Sequence, residues 1–71
     1  MSKTYITFGQ AHVHGINGII LNHDCVAVIK CKDEKEGREL AHQYFDDKWS
    51  FSHFDKIPDM SFYPRGLIKV N

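Results

Sequence analysis

The sequence predicts an α+β domain: one helix packed across a mainly antiparallel sheet of about four strands. Three observations predict it. Segments of alternating polarity rich in β-branched and aromatic residues lie near both ends of the chain. A single stretch between residues 34 and 46 carries apolar residues at helical spacing. An Asn-Gly pair stands between apolar residues, the strongest short hairpin signal, because both central turn positions need positive φ. The expected order is β, hairpin segment, β, α, β, β in a single domain spanning residues 1–71. A chain of 71 residues buries only about 60% of its unfolded surface. Its core is therefore modest and leans on its aromatics, which make up 13% of the residues.

The first strand is read at residues 3–8, with Ile6 and Phe8 on one face and Tyr5 and Thr7 on the other. The segment from Ala11 to Ile16, the Asn17-Gly18 turn and Ile19 form the hairpin, with Gly15 weakening its first strand. Cys25 to Cys31 is apolar on both faces until Lys30, the pattern of a central strand. Asp33 supplies a helix N-cap, and Glu36 stands three residues on as its capping-box partner. Within the helix, Gly37, Leu40, Ala41, Tyr44 and Phe45 form one stripe. Gly37 costs about 1 kcal/mol against Ala, and two explanations stand: a close approach of helix to sheet, or simple tolerance in the first turn. Trp49 to Phe54 alternates again and reads as a short strand, residues 55–61 as a loop, and Leu67 to Val70 as the last strand, entered through Pro64 at a bend or sheet edge.

Composition narrows the function classes. Nine Lys and Arg balance nine Asp and Glu, so nothing marks a general nucleic-acid binder, and nucleic acid is not the expected partner. No apolar run approaches the length of a membrane span, and Met1 to Lys3 leads into a strand without an apolar leader. Cys25 and Cys31, on one face of one strand, would stand roughly 20 Å apart, beyond disulfide reach. Two unbridged thiols fit a reducing cytoplasm, the expected compartment.

Three constellations bear on chemistry. His12 and His14 share a strand face, and His23 and Cys25 repeat that spacing, so the Asn17-Gly18 turn could bring four zinc-type ligands together. The spacing matches no standard zinc arrangement, and the competing reading makes the histidines edge residues and Cys25 a small core hydrophobe. We expect no metal and no cofactor. A Cys/His nucleophilic pair has no local signature, and so short a chain has little room for a substrate pocket beside its core; we expect no enzyme. The third constellation is a binding face. Trp49, Phe51, His53, Phe54, Phe62, Tyr63 and Arg65 crowd the last third of the chain, and Trp, Tyr and Arg mark interface hot spots. Phe51, Phe54 and Phe62 are read as core, as Phe usually is. The partner-binding set is Gln10, His12, His14, Trp49, Tyr63 and Arg65, drawn from this cluster and the loop at residues 10–17.

The segments ITFGQAHVHGINGIILNHDCVAVI and FYPRGLIKV resemble those of small uncharacterised proteins encoded by bacteriophages and prophages. The marks are Phe8-Gly9-Gln10, His12-Val13-His14, Asn17-Gly18, Asp24 to Ile29 and Tyr63-Pro64-Arg65-Gly66, and the resemblance would extend over most of the chain. No active site comes with the resemblance and no residue gains a role from it. It implies a context, in which many small phage proteins bind and block a host protein, often of a defence system. The expectation is therefore an inhibitor of a host protein in the host cytoplasm, such as an anti-CRISPR protein. The alternative is a small metal- or nucleic-acid-binding regulator.

Overall fold

A computed structural model describes residues 2–10, 12–16 and 18–71. Its elements are β1 (Ser2–Thr7), β2 (His14–Ile16), β3 (Ile19–Leu21), β4 (Cys25–Cys31), α1 (Glu34–Phe45), β5 (Phe51–Phe54), a 3-10 turn (Met60–Phe62) and β6 (Gly66–Lys69). The α+β class and the element order are those expected from the sequence. Two features refine the expectation. The hairpin β2–β3 forms a small sheet of its own, and the main sheet is mixed, in the order β5-β1-β4-β6.

The mixture follows from the connections. β1 is antiparallel to both β4 and β5, so β4 and β5 point the same way. Parallel strands need a crossover, and α1 supplies it on one face, which makes a β-α-β unit split by β1. From β5, on one edge, the segment 55–65 crosses the opposite face. It enters β6 on the other edge, parallel to β4. The helix and this segment are thus the two covers of the sheet.

Local signals place the helix. The Asp33 carboxylate accepts the Glu36 N–H at 2.8 Å, and Glu36 Oε1 accepts the Lys32 N–H at 3.0 Å, a capping box closed one residue upstream of the cap. Gly37, Ala41 and Phe45 form its fully buried line, while Leu40 and Tyr44 flank it and are only partly covered. Phe8 and Phe45 meet edge to face, centroids 5.1 Å apart, in a cluster with Ile6, Cys25, Ala27, Ile29 and Leu21 of the hairpin. At Gly37 the structure chooses between the two explanations. A Cβ there would meet the Thr4 side chain and lie 3.2 Å from Cys31 Sγ, so the glycine permits the close approach of helix to sheet. Cys25 and Cys31 are buried and unbridged.

On the other face, Tyr5, Val26 and Val28 are covered by Met60 and Tyr63 of the crossing segment. This is why Cys25 to Ile29 is apolar on both sides. The hairpin pairs Ile16 with Ile19, and Gly18 has φ 78°; Ala11 and Asn17, parts of the expected hairpin, lie outside the described residues. Among the described residues no helix is long and apolar enough to cross a membrane.

One expectation is overturned. Phe51 and Phe62, read as core, are 68% and 72% exposed. β5 is an edge strand, and its register places Phe51 opposite Thr7 on the outer face, beyond the crossing segment's cover. In the 3-10 turn, Met60 and then Tyr63 take the inward positions, which leaves Phe62 outside. Phe54, the third Phe read as core, is half-buried.

Candidate binding face

A cleft of about 310 Å³ opens at one end of the outer face. Thr7, Gly9 and Gln10 reach it from the end of β1, Ser50 and Phe51 from the start of β5, His23 from the β3–β4 turn, and Phe62 and Tyr63 from the 3-10 turn. Each wall is held by backbone hydrogen bonding. Ser50 N–H donates to Thr7 O at 2.8 Å. Gly9, at φ 64°, lets the chain leave β1 against the Ser50 side chain, where a Cβ would collide with Ser50 Oγ. Asn22 Oδ1 accepts the Asp24 N–H at 3.0 Å, a side-chain-closed turn that presents His23. His23 Nε2 lies 2.9 Å from Asp24 Oδ1.

The last wall is set by turn chemistry. Asp59 caps the 3-10 turn, accepting from Ser61 N–H at 3.0 Å and Ser61 Oγ at 2.7 Å. These bonds favour the ionised form and hold the Asp59 carboxyl below its ordinary value, the side-chain hydroxyl contributing most. Gly66 N–H donates to Tyr63 O at 2.9 Å and closes a turn with Pro64 second and Gly66, at φ 77°, fourth. Arg65 N–H donates to Asp24 O at 3.0 Å, which ties this turn to the one bearing His23. At the segment's start, Asp55 Oδ1 accepts the Lys3 N–H at 2.9 Å, and that bond lowers its pKa.

Of the residues expected to bind a partner, Gln10 and Tyr63 line the cleft. Arg65 lies beside it, exposed, its guanidinium 3.5 Å from Asn22 Oδ1. The other three lie apart from it. The His14 ring sits edge-on to Phe45 at 5.1 Å, on the helix side of the sheet. Trp49 donates its indole N–H to Asp46 O at 3.1 Å and meets the His42 ring 5.3 Å away, at the end of the helix. His12 is half-buried and does not line the cleft. His14, His23 and Cys25, weighed as metal ligands with His12, are likewise scattered: the first is on Phe45, the second in the cleft, the third fully buried. Among the described residues no three His, Cys, Asp or Glu side chains converge.

Sequence reasoning missed Phe51 and Phe62 as site residues, and placed His23 only in the metal set. A signal for Phe62 was present, since an Asp-x-Ser turn just upstream marks a capped loop that exposes one side of itself.

Charge is also partitioned in a way the balanced total conceals. Asp33, Glu34, Glu36, Glu39, Asp46 and Asp47 lie on or beside α1, against Lys32, Lys35, Arg38 and Lys48, a small acidic excess. On the outer face the register sets Lys3 directly opposite Lys30, with Lys69 on the next strand level with Val28. Among the described residues the ion pairs are His23–Asp24 and an exposed His42–Asp47 contact at 3.4 Å. No lysine or arginine takes part in either.

No protein-family model, curated protein or solved structure matches this chain.

Proposed function

We propose that this protein works by binding: it occupies a surface of a host protein and inhibits it, as a phage-encoded antagonist of a bacterial defence system, of the anti-CRISPR kind, would do in the host cytoplasm. The observation that carries the reading is the pair of phenylalanines, Phe51 and Phe62, exposed on either side of the cleft. Burying one large aromatic side chain is worth about 1.5–3 kcal/mol. A chain with so small a core that leaves two of its five Phe outside forgoes stability that a bound partner would recover. Tyr63 and Arg65 add the residue types that dominate interface energetics, and Pro64 between them stiffens the backbone and limits the entropy lost on binding. The resemblance to phage-encoded proteins supplies the host context.

Affinity capture from bacterial lysate tests the proposal, with the wild-type chain and Phe62→Asp side by side. The expected result is a stoichiometric host protein retained by the wild type and lost by the variant, whose melting temperature is unchanged because Phe62 is exposed. Capture of no stoichiometric protein, or equal capture by both, overturns it. A phage-restriction assay in strains carrying defined defence systems then identifies which activity is blocked.

A further inference from the structure

The outer face is graded along its strands. Its first row, across the sheet, is Phe51, Thr7, Val26 and Leu67, buried at its centre, with an exposed apolar side chain at each end. The second is His53, Tyr5, Val28 and Lys69, and the third holds Lys3 and Lys30. Thr7 and Lys3 stand four positions apart on β1, roughly 13 Å at the strand rise. Like charges directly opposite across a strand pair work against folding. Here no described carboxylate forms an ion pair with either lysine's ammonium group, although Asp55 Oδ1 accepts the Lys3 backbone N–H. A lysine row whose ammonium groups have no ion-pair partner among the described residues, on the same face as a row with exposed apolar ends, has the form of a surface whose counter-charges arrive with a partner.

Resting on the protein-binding reading, we infer that the partner's contact surface is acidic around a protruding apolar side chain. That side chain enters the cleft between Phe51 and Phe62, and flanking carboxylates meet Lys69, Lys30 and Lys3. Charge complementarity of this kind sets partner choice and association rate more than raw affinity. A protein surface fits better than a nucleic-acid strand. Asp55, bonded to the Lys3 backbone at the end of the lysine row, and Asp59, at the cap of the 3-10 turn, are fixed carboxylates near the lysines, and they interrupt the positive track that a phosphate backbone follows.

The test measures fluorescence anisotropy with four labelled probes: a short peptide with one central Phe among Glu residues, its Ser and Lys counterparts, and oligothymidylate. The Glu peptide is expected to bind about tenfold more tightly than the Ser peptide at low salt, with the difference vanishing when the Debye length is cut to about 3–4 Å. The Lys3→Glu/Lys30→Glu/Lys69→Glu variant, altered only at exposed positions, should lose the acidic preference and keep its affinity for the Ser peptide. Equal binding of Glu and Ser peptides, preference for the Lys peptide, tighter binding of oligothymidylate, or no binding of any probe overturns the inference. A host protein captured through Phe62 whose binding ignores salt overturns it too, and leaves the protein-binding reading standing. Absence of any captured protein defeats that reading instead.

Discussion

Gly37→Ala separates two opposing effects of nearly known size. In a helix interior the substitution favours folding by about 1 kcal/mol through propensity alone. In this fold the new methyl would meet Thr4 Oγ1, with Thr4 Cβ 3.0 Å away and Cys31 Sγ 3.2 Å away. Neither neighbour can retreat. Thr4 is 1% exposed on β1, paired on one side with Ile29 and on the other with Phe54. Cys31 is 1% exposed, and its Sγ lies 3.4 Å from Thr4 Oγ1, a buried hydrogen bond the methyl would disturb. Overpacking of this kind costs about 1–3 kcal/mol, and the contact with a strand Cβ places it in the upper part of that range. The expected net is a loss of about 1–2 kcal/mol, from a total of about 4–10 kcal/mol for a domain of this length. Urea unfolding followed by circular dichroism measures it as a lowered midpoint at unchanged slope. A double-mutant cycle with Thr4→Ala adds a second reading: with the hydroxyl gone, Gly37→Ala should cost less by about 0.5–1 kcal/mol. A raised midpoint for Gly37→Ala, or additivity in the cycle, would refute the claim that this glycine exists to let the helix approach the sheet.

Three further outcomes are expected. Phe45→Ala, which empties the space between Phe8 and His14, should cost about 3–5 kcal/mol, and a loss below about 0.5 kcal/mol, the range of surface changes, would mean that Phe45 is not the core anchor. Asp55 and Asp59 should titrate by NMR below the ordinary value of 3.8. Since folding lowers both, their contribution is complete above the unfolded value and lost as pH falls through the folded ones, so the Ser61 and Lys3 amide shifts should move with midpoints below 3.8; midpoints at or above that value would contradict the hydrogen bonds assigned to them. Arg65→Glu should leave the melting temperature nearly unchanged, because its guanidinium makes one long contact to Asn22. It should also weaken binding of the acidic peptide, and undiminished binding would remove Arg65 from the interface.

The elements were legible in the sequence wherever their causes are local. Asp33 and Glu36 cap the helix through neighbours three or four residues away, and the Asn17-Gly18 pair announces the hairpin because turn geometry depends on two residues. The apolar run from Cys25 to Ile29 likewise declared β4 a central strand. Of the site, Gln10, Tyr63 and Arg65 were legible, as loop residues of interface type beside turn-forming Gly and Pro.

The tertiary structure alone decided the rest. The same alternation that predicts β5 as a strand does not say that it lies at an edge, and edge position is what leaves Phe51 in solvent. Whether Met60 or Phe62 faces Tyr5 depends on how the segment 55–65 crosses the sheet, and that same crossing makes β6 parallel to β4. His14 and His23 looked alike as members of two equal pairs, yet one packs on Phe45 and the other opens onto the cleft. Short-range signals reach a few residues along the chain, whereas exposure and juxtaposition are set by contacts between segments far apart in it. A face built from residues 3, 30, 51, 62 and 69 therefore exists only once the strands have paired.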